Sequence, residues 1–252
     1  MDFTKFVSLL EKKALFFPRI DKLGDPFEGS TPFANKLFYE ARWARWAEDT
    51  KRLQKSGAED KVLSLRKELE EKLPPFMASH YPEGIMKEVR KDVYVNSWYL
   101  NEYESAAMWN LYLKSNEGIA IQSTYNHLKN CFKNNKKETV YIGQIKYIDY
   151  KKDIIWPNLG GYAQYMHKRK SFEHEKELRA LVWKSEPDEF LGGKPRTENG
   201  IYVSANLNTL IEKIVVSPES PQWVATLVKN IVKRYGIRKR VEISNLNARP
   251  IF

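Results

Sequence analysis

The sharpest chemical signal in the chain is Glu175-Lys-Glu-Leu-Arg179, two carboxylates and a guanidinium at alternate positions. On a strand these three side chains share one face, while Leu178, Ala180 and Val182 point the other way into a core. Paired carboxylates beside a guanidinium can do acid/base work or stabilise developing charge. The same residues also suit a structural Glu177–Arg179 or Glu175–Arg179 pair, or a solvated helix end with Glu173 and Glu177 one turn apart. Ser97 and Trp98 form a second candidate pair, at the end of a strand. The loop Asp21–Ser30 could turn Asp21, Asp25 and Glu28 toward a site, or be a surface turn whose Phe27 plugs the core. Arg42, Trp43, Arg45 and Trp46 suit nucleic acid, since Trp stacks on bases and Arg binds phosphate. Equally, Trp43 and Trp46, three apart, suit packing on a core with the arginines solvated.

Other chemistries lack their residues. His80, His127, His167 and His174 are neither paired at i, i+4 nor backed by cysteines, so no metal site is expected. Cys131 has no evident base partner. No phosphate-binding glycine loop is present.

The elements that must position these residues follow from periodicity. Val93 and Val95 alternate with polar neighbours toward Ser97, the pattern of a half-buried strand. Asn101 with Glu104 predicts a capped helix with Ala107, Met108, Leu111 and Tyr112 on one face, ended by Gly118. Ile119 and Ile121 open the next strand. Earlier, a helix is expected to Leu15, with Phe3, Phe6, Leu9 and Leu10 at helical spacing. Ser123 predicts a helix to Phe132, and Thr139–Tyr147 a long strand. Tyr162–Lys170 reads as a helix and Glu173–Trp183 as a segment ending in a strand. Gly192 to Gly200 reads as a hairpin-like loop. Strands at 201–203, 214–217 and 241–244 flank a helix from Pro221 to Tyr235, with Val224, Leu227, Val228 and Ile231 on one face and Gly236 beyond its end. Residues 31–90 differ in character, with an aromatic helix at 38–47, a charged helix at 58–73 and a short one at 84–89. They read as a helical insertion.

At 252 residues the chain suits one domain carrying an insertion. A hydrophobic content of 42% excludes a disordered chain. The net charge of +10 is compatible with nucleic acid or an anionic cofactor. A single cysteine excludes an internal disulfide framework and fits a reducing cytoplasm. No apolar run approaches about 20 residues, so no membrane partner is expected. The N-terminus lacks the features of a secretory signal.

Taken together, the motifs resemble a bacterial family, the domain of unknown function numbered 2971. Phe3-Thr-Lys-Phe-Val-Ser-Leu-Leu, Ala14-Leu-Phe-Phe and Asp25-Pro-Phe-Glu-Gly29 resemble its opening. Ser97-Trp98, Glu104-Ser105, Met108-Trp109, Tyr112 and Gly118-Ile-Ala-Ile121 resemble its centre. Glu175-Lys-Glu-Leu-Arg179, Val215-Val-Ser-Pro218 and Tyr235-Gly236 resemble its later part. Its order of elements is similar to the ADP-ribosyltransferase fold, a split sheet that holds NAD. The resemblance implies Glu177 as the catalytic carboxylate, Ser97 as the central-strand residue and Glu175 facing the acceptor. It implies Trp98 or Tyr99 against the nicotinamide, and Arg179 in cofactor binding. Relatives carry an aromatic-Arg-Tyr segment ahead of the region matching Met1-Asp-Phe3. Either an Arg-bearing strand is expected upstream, or the chain lacks the residue that would hold the cofactor's pyrophosphate, with Arg19 as the candidate replacement within this sequence.

The expectation is an α+β single domain on a mixed or split β-sheet, with a helical insertion at 31–90. Its expected function is that of an ADP-ribosyltransferase-like enzyme using NAD, a cytoplasmic toxin or phage-defence factor modifying protein or nucleic acid. The alternatives are a nucleic-acid-binding protein or nuclease, and an inactive domain that binds a partner.

Overall fold

Local chemistry sets each element in the computed structural model, which describes residues 1–56, 60, 87, 89–113, 116–156, 159, 161–184, 197–248 and 250–251. Helix α1 (Phe3–Lys12) is capped by Asp2, whose carboxylate accepts from the Lys5 N–H at 2.8 Å. It buries Phe6, Leu9 and Leu10 of the expected stripe, leaves Phe3 partly covered, and stops at Lys12, short of the expected Leu15. Lys13 turns left-handed and delivers the chain into β1 (Ala14–Pro18). Helix α2 (Phe33–Lys55) is anchored at its start by Asn35, which exchanges two hydrogen bonds with the backbone of Ile155, at 2.7 and 2.8 Å. The expected helices at 58–73 and 84–89, the Trp43 and Trp46 side chains, and most of the Gly192–Gly200 loop lie outside the described residues.

The site-bearing strands keep the predicted alternation of faces, but β2 is not half-buried at its start: Val93, Tyr94 and Val95 are all buried. β2 (Val93–Tyr99) pairs antiparallel with β7 (Glu177–Trp183), and β7 pairs antiparallel with β4 (Tyr141–Gln144). One face of this sheet carries Tyr94, Leu178, Ala180 and Val182 into the larger core, with Trp98 packed against it. The other carries Val93, Val95 and Leu181 into a smaller cluster with Ile20 and Tyr165. Ser97, Glu177 and Arg179 fall on this second face by strict alternation. β1 pairs with β8 (Gly200–Ser204) and touches β2 through an antiparallel bridge between Arg19 and Tyr94.

A second sheet joins β3 (Ile119–Gln122), β9 (Lys213–Val216) and β10 (Arg240–Ile243), with β9 in the middle. Helix α6 (Gln222–Arg234) buries Val224, Ala225, Val228 and Val232. This stripe is turned slightly from the expected one, and Leu227 remains 36% exposed. Helices, antiparallel ladders and two parallel pairs together make an α+β architecture.

Several elements differ from their sequence signals. The long strand at 139–147 is two strands. At Ile145 the backbone N–H bonds the Glu177 carbonyl, and β5 (Lys146–Ile148) then leaves β7 to pair with β6 (His167–Arg169). The helix expected at 162–170 is a 3-10 turn followed by β6. Helix α3 (Ala106–Tyr112) is capped by Ser105 rather than Asn101 and buries no residue; Leu111 and Tyr112 are exposed. Helix α4 (Tyr125–Asn130) is capped by Thr124, because the Ser123 hydroxyl bonds the Leu210 carbonyl instead. Helix α5 (Leu207–Leu210) is a single turn capped by Asn206, whose side chain accepts from the Thr209 N–H.

Candidate functional site

Glu177 opens β7 and is 2% exposed. Its backbone N–H donates to the Tyr147 hydroxyl at 2.8 Å. Oε1 accepts from Ser97 Oγ at 2.6 Å and from Arg179 Nε at 2.6 Å. Oε2 accepts from Arg179 Nη2 at 3.0 Å and Lys168 Nζ at 3.4 Å. Ser97 reaches Glu177 from an exposed position near the end of β2, where its direct partner in the ladder is Arg179. The hydroxyl therefore connects solvent to a carboxylate beneath it.

Arg179 is fully buried. All three of its guanidinium nitrogens are engaged by protein: Nε and Nη2 by Glu177, Nη1 by the Tyr165 carbonyl at 2.8 Å, and Nη2 also by Glu28 at 2.8 Å. Lys168 Nζ lies 2.9 Å from Glu28, 2.5 Å from Glu175 and 3.4 Å from Glu177. Glu28 is thus shared by both cations. Three carboxylates against two cations leave one negative charge in this cluster.

The electrostatics follow from these contacts. Burial opposes ionisation of Glu177, but the Arg179 guanidinium outweighs it, helped by Ser97 and Lys168. The carboxyl is held below its usual range. Burial also disfavours the charge of Lys168, yet Glu28, Glu175 and Glu177 raise its pKa. The Tyr112 ring is largely exposed. Its phenol end is partly desolvated and bonded to Glu175, which together push it up to about 12 and leave Tyr112 a neutral donor beside that carboxylate. Ser97, Tyr99, Glu175 and Tyr112 are only partly covered or exposed, and they form the wet side of the cluster.

Two loop features carry Glu28 inward. Asp25 accepts from Arg169 at 2.7 and 3.1 Å, and Arg169 lies 4.4 Å over the Phe27 ring. Gly29 adopts φ +67°, and a Cβ there would stand 2.9 Å from the Tyr165 ring. Only glycine permits both the conformation and that approach. Of the two readings of this loop, the first holds for Glu28. Phe27 does not plug the core; it is 40% exposed and packs edge-on against Tyr150.

The remaining candidates separate. Glu175 does not lie on the strand with Glu177. It ends a 3-10 turn, and Lys176 takes a left-handed conformation between them. Glu175 nevertheless joins the cluster, through Lys168. Tyr99 pairs with Glu177 in the ladder and alternates onto the Ser97 face. Trp98 does not wall the site: it is on the opposite face, against the larger core, with its indole N–H on Asn96 Oδ1 at 2.6 Å. Arg19 bonds Asp21 at 2.6 and 3.1 Å, beside Tyr94 rather than in the cluster. Neither Arg179 nor Arg19 presents an open guanidinium to a ligand. Cys131 is buried in the larger core, and burial pushes its thiol up to about 12.

Sequence reasoning missed Lys168, Tyr147 and the Tyr165 carbonyl. The only local signal for Lys168 is a basic run, His167-Lys-Arg169, that looks like surface. A separate cavity of about 390 Å³ lies between α3 and the end of β9, lined by Trp109, Asn110, Asn116, Ser217 and Asn247 among others. It contains none of the cluster residues. Among the described residues no group of His, Cys, Asp and Glu is disposed to hold a metal ion, and no helix is long and apolar enough to cross a membrane.

A family model described as "Protein of unknown function (DUF2971)" matches residues 108–180. The matched stretch runs from inside α3 into β7. It takes in Tyr112, Tyr147, Lys168, Glu175, Glu177 and Arg179, and leaves out Ser97 and Glu28. The chain resembles that family over this stretch. No curated protein and no solved structure matches it.

Proposed function

We propose that the chain is an ADP-ribosyltransferase-like enzyme that uses NAD, a toxin or defence factor acting on protein or nucleic acid. The observation that carries this reading is the 2.6 Å bond from the exposed Ser97 hydroxyl to the buried Glu177 carboxylate. NAD supplies a labile bond between nicotinamide and ribose, whose cleavage sends the electron pair to nicotinamide and leaves positive charge on the ribosyl carbon. The cluster suits that charge. Its one uncompensated negative charge sits in a water-poor site, where electrostatic stabilisation is strong.

The chain's own residues divide the work. Arg179 and Lys168 keep Glu177 ionised and fixed. Ser97 spends its proton on Glu177 and keeps its lone pairs for a ribose hydroxyl. Tyr99 is the ring on the correct face to lie against nicotinamide. Glu175, at the wet edge, takes the proton that the acceptor loses as it bonds to the ribosyl carbon. The fit is to the ribosyl end of NAD; the pyrophosphate finds no open guanidinium at Arg179 or Arg19. The test is nicotinamide release from NAD by the wild-type chain, compared with Ser97→Ala. Release that is absent, or unaltered in that variant, overturns the reading.

A second reading rests on a different observation. Both oxygens of Glu177 are already engaged, by Ser97, Arg179 and Lys168. A carboxylate so fully satisfied suits a structural cluster in a domain that binds a partner and catalyses nothing.

A further inference from the structure

Beside the Ser97 site lies an aromatic surface that the proposed chemistry does not use. Leu15 and Phe17 enter the larger core, so Phe16 between them faces the opposite side. Tyr94 and Trp98 likewise turn to that core, so Ser97 faces the same side as Phe16. The Arg19–Tyr94 bridge is antiparallel, and continuing its register brings Phe16 opposite Ser97. The Asn96 side chain spans the gap, donating to the Phe16 carbonyl at 3.0 Å.

Phe16 is paired across its other edge with Tyr202. Their rings lie 5.1 Å apart and are 43% and 45% exposed. Lys12 Nζ stands 4.7 Å over the Tyr202 ring, and Ser8 holds the Tyr202 hydroxyl at 3.2 Å. From there the Tyr235 hydroxyl donates to Glu11 at 2.6 Å, tying the end of α6 to the end of α1. Lys12, Lys13, Lys233 and Arg234 are exposed along this junction, and none makes an ion pair among the described residues. A core-building strand has no need of two wet rings. Lys12, Lys233 and Arg234 offset the dipoles of the helices they end, and with Lys13 they outnumber the one carboxylate at the junction, Glu11, four to one. Rings that accept any base face, flanked by cations that track phosphates, are the parts of a single-strand binding groove.

We propose that the partner of this surface, and the acceptor presented to Ser97 and Glu177, is single-stranded nucleic acid. A base stacks on the Phe16–Tyr202 pair while the backbone follows Lys12, Lys13, Lys233 and Arg234. The acceptor role rests on the reading given under Proposed function; the binding does not.

The test is fluorescence anisotropy of a labelled oligothymidylate against the full chain, with its duplex as comparison and nicotinamide release measured in parallel. The single strand should bind more tightly than the duplex, whose bases are already stacked. Four phosphate contacts give a slope of log K against log salt of about −3. Tyr202→Ala should weaken binding roughly tenfold, the loss expected for one stacked base. The double variant Lys12→Gln/Lys13→Gln alters only exposed side chains and should reduce the slope by about 1.4. It decides the matter if the Tyr202 variant fails to fold. An unaltered slope in the double variant, or displacement of the oligonucleotide by NAD, overturns the proposal, the latter by giving the rings to the cofactor. Oligonucleotide binding without nicotinamide release sinks the chemistry and leaves the groove standing. Release without oligonucleotide binding does the reverse.

Discussion

Glu28 and Arg179 meet as an ion pair at 2.8 Å with 1% and 0% of their side chains exposed, joining the first loop to the central strand. A pair so placed is held by its surroundings as much as by its own attraction. Taking Arg179 away would leave buried carboxylates without compensation, whereas taking a carboxylate away brings the cluster to two charges of each sign and costs the contacts that carboxylate makes.

Glu28→Gln and Glu177→Gln should therefore each cost about 1.5–3 kcal/mol, the loss of contacts to charged partners. That is a large share of a domain's typical ~5–15 kcal/mol. Both carboxylates serve Arg179 and Lys168, so the two losses should not add in the double variant. Denaturant midpoints of the two single variants and the double variant check this. Strict additivity would mean that the cluster is not a unit.

Ser97→Ala is the cleaner probe of chemistry. Ser97 is exposed, so losing its bond to Glu177 should cost only about 1 kcal/mol of stability. If Ser97 orients the ribose, nicotinamide release should fall roughly a hundredfold in a protein with a near-native midpoint. A large fall in midpoint would assign the hydroxyl to the fold.

Acid should weaken the fold in two stages. The buried His167 has a lowered pKa, with burial as the main cause and its Ala163 hydrogen bond opposing. The unfolded chain then binds a proton that the folded chain refuses, so stability begins to fall below about pH 6.5. Glu177 is likewise lowered, and its contribution is present above the ordinary Glu value of about 4.3 and lost as pH falls through its folded pKa. Stability against pH should show both declines. Glu177→Gln should flatten only the lower one, and a curve unchanged by that substitution would refute the assignment.

Cys131 should be inert in the native state. It is 2% exposed, its sulfur lies 3.0 Å from the Leu128 carbonyl, and its thiol is pushed up to about 12. Alkylation by iodoacetamide at neutral pH should follow global unfolding. Rapid modification of the folded chain would contradict this packing.

The sequence made the strands of the site readable for a physical reason. Val93, Val95 and Ser97 alternate against Tyr94 and Trp98, and Leu178, Ala180 and Val182 alternate against Glu177 and Arg179. That period puts Ser97 on the valine face of β2 and Glu177 with Arg179 on one face of β7, and the pairing of the two strands then brings those faces together. Lys168 and Glu28 escape such reasoning, because a buried charge has no local pattern and resembles a solvated one. Glu175 reaches the cluster by a left-handed turn at Lys176, which no periodicity announces. The split of one long strand at Ile145 depends on a partner strand that only tertiary pairing reveals. Helix α6 was legible because Pro221 and Gly236 mark its ends, but α3 buries nothing and its expected apolar face faces water.

The Asp25–Arg169 bond closes a loop of 144 residues, and that span has a meaning during synthesis. At roughly 5–20 residues per second, a ribosome needs about 7–30 s to deliver Arg169 after Asp25 has emerged. For that interval Asp25 and Glu28 have no cationic partners from β6 or β7, and they remain hydrated. The first loop cannot take its final form early; it waits on the chain's later half. Nascent fragments ending before β6 should therefore leave residues 21–30 open to proteases, and protection should arrive only when the chain has passed Arg179.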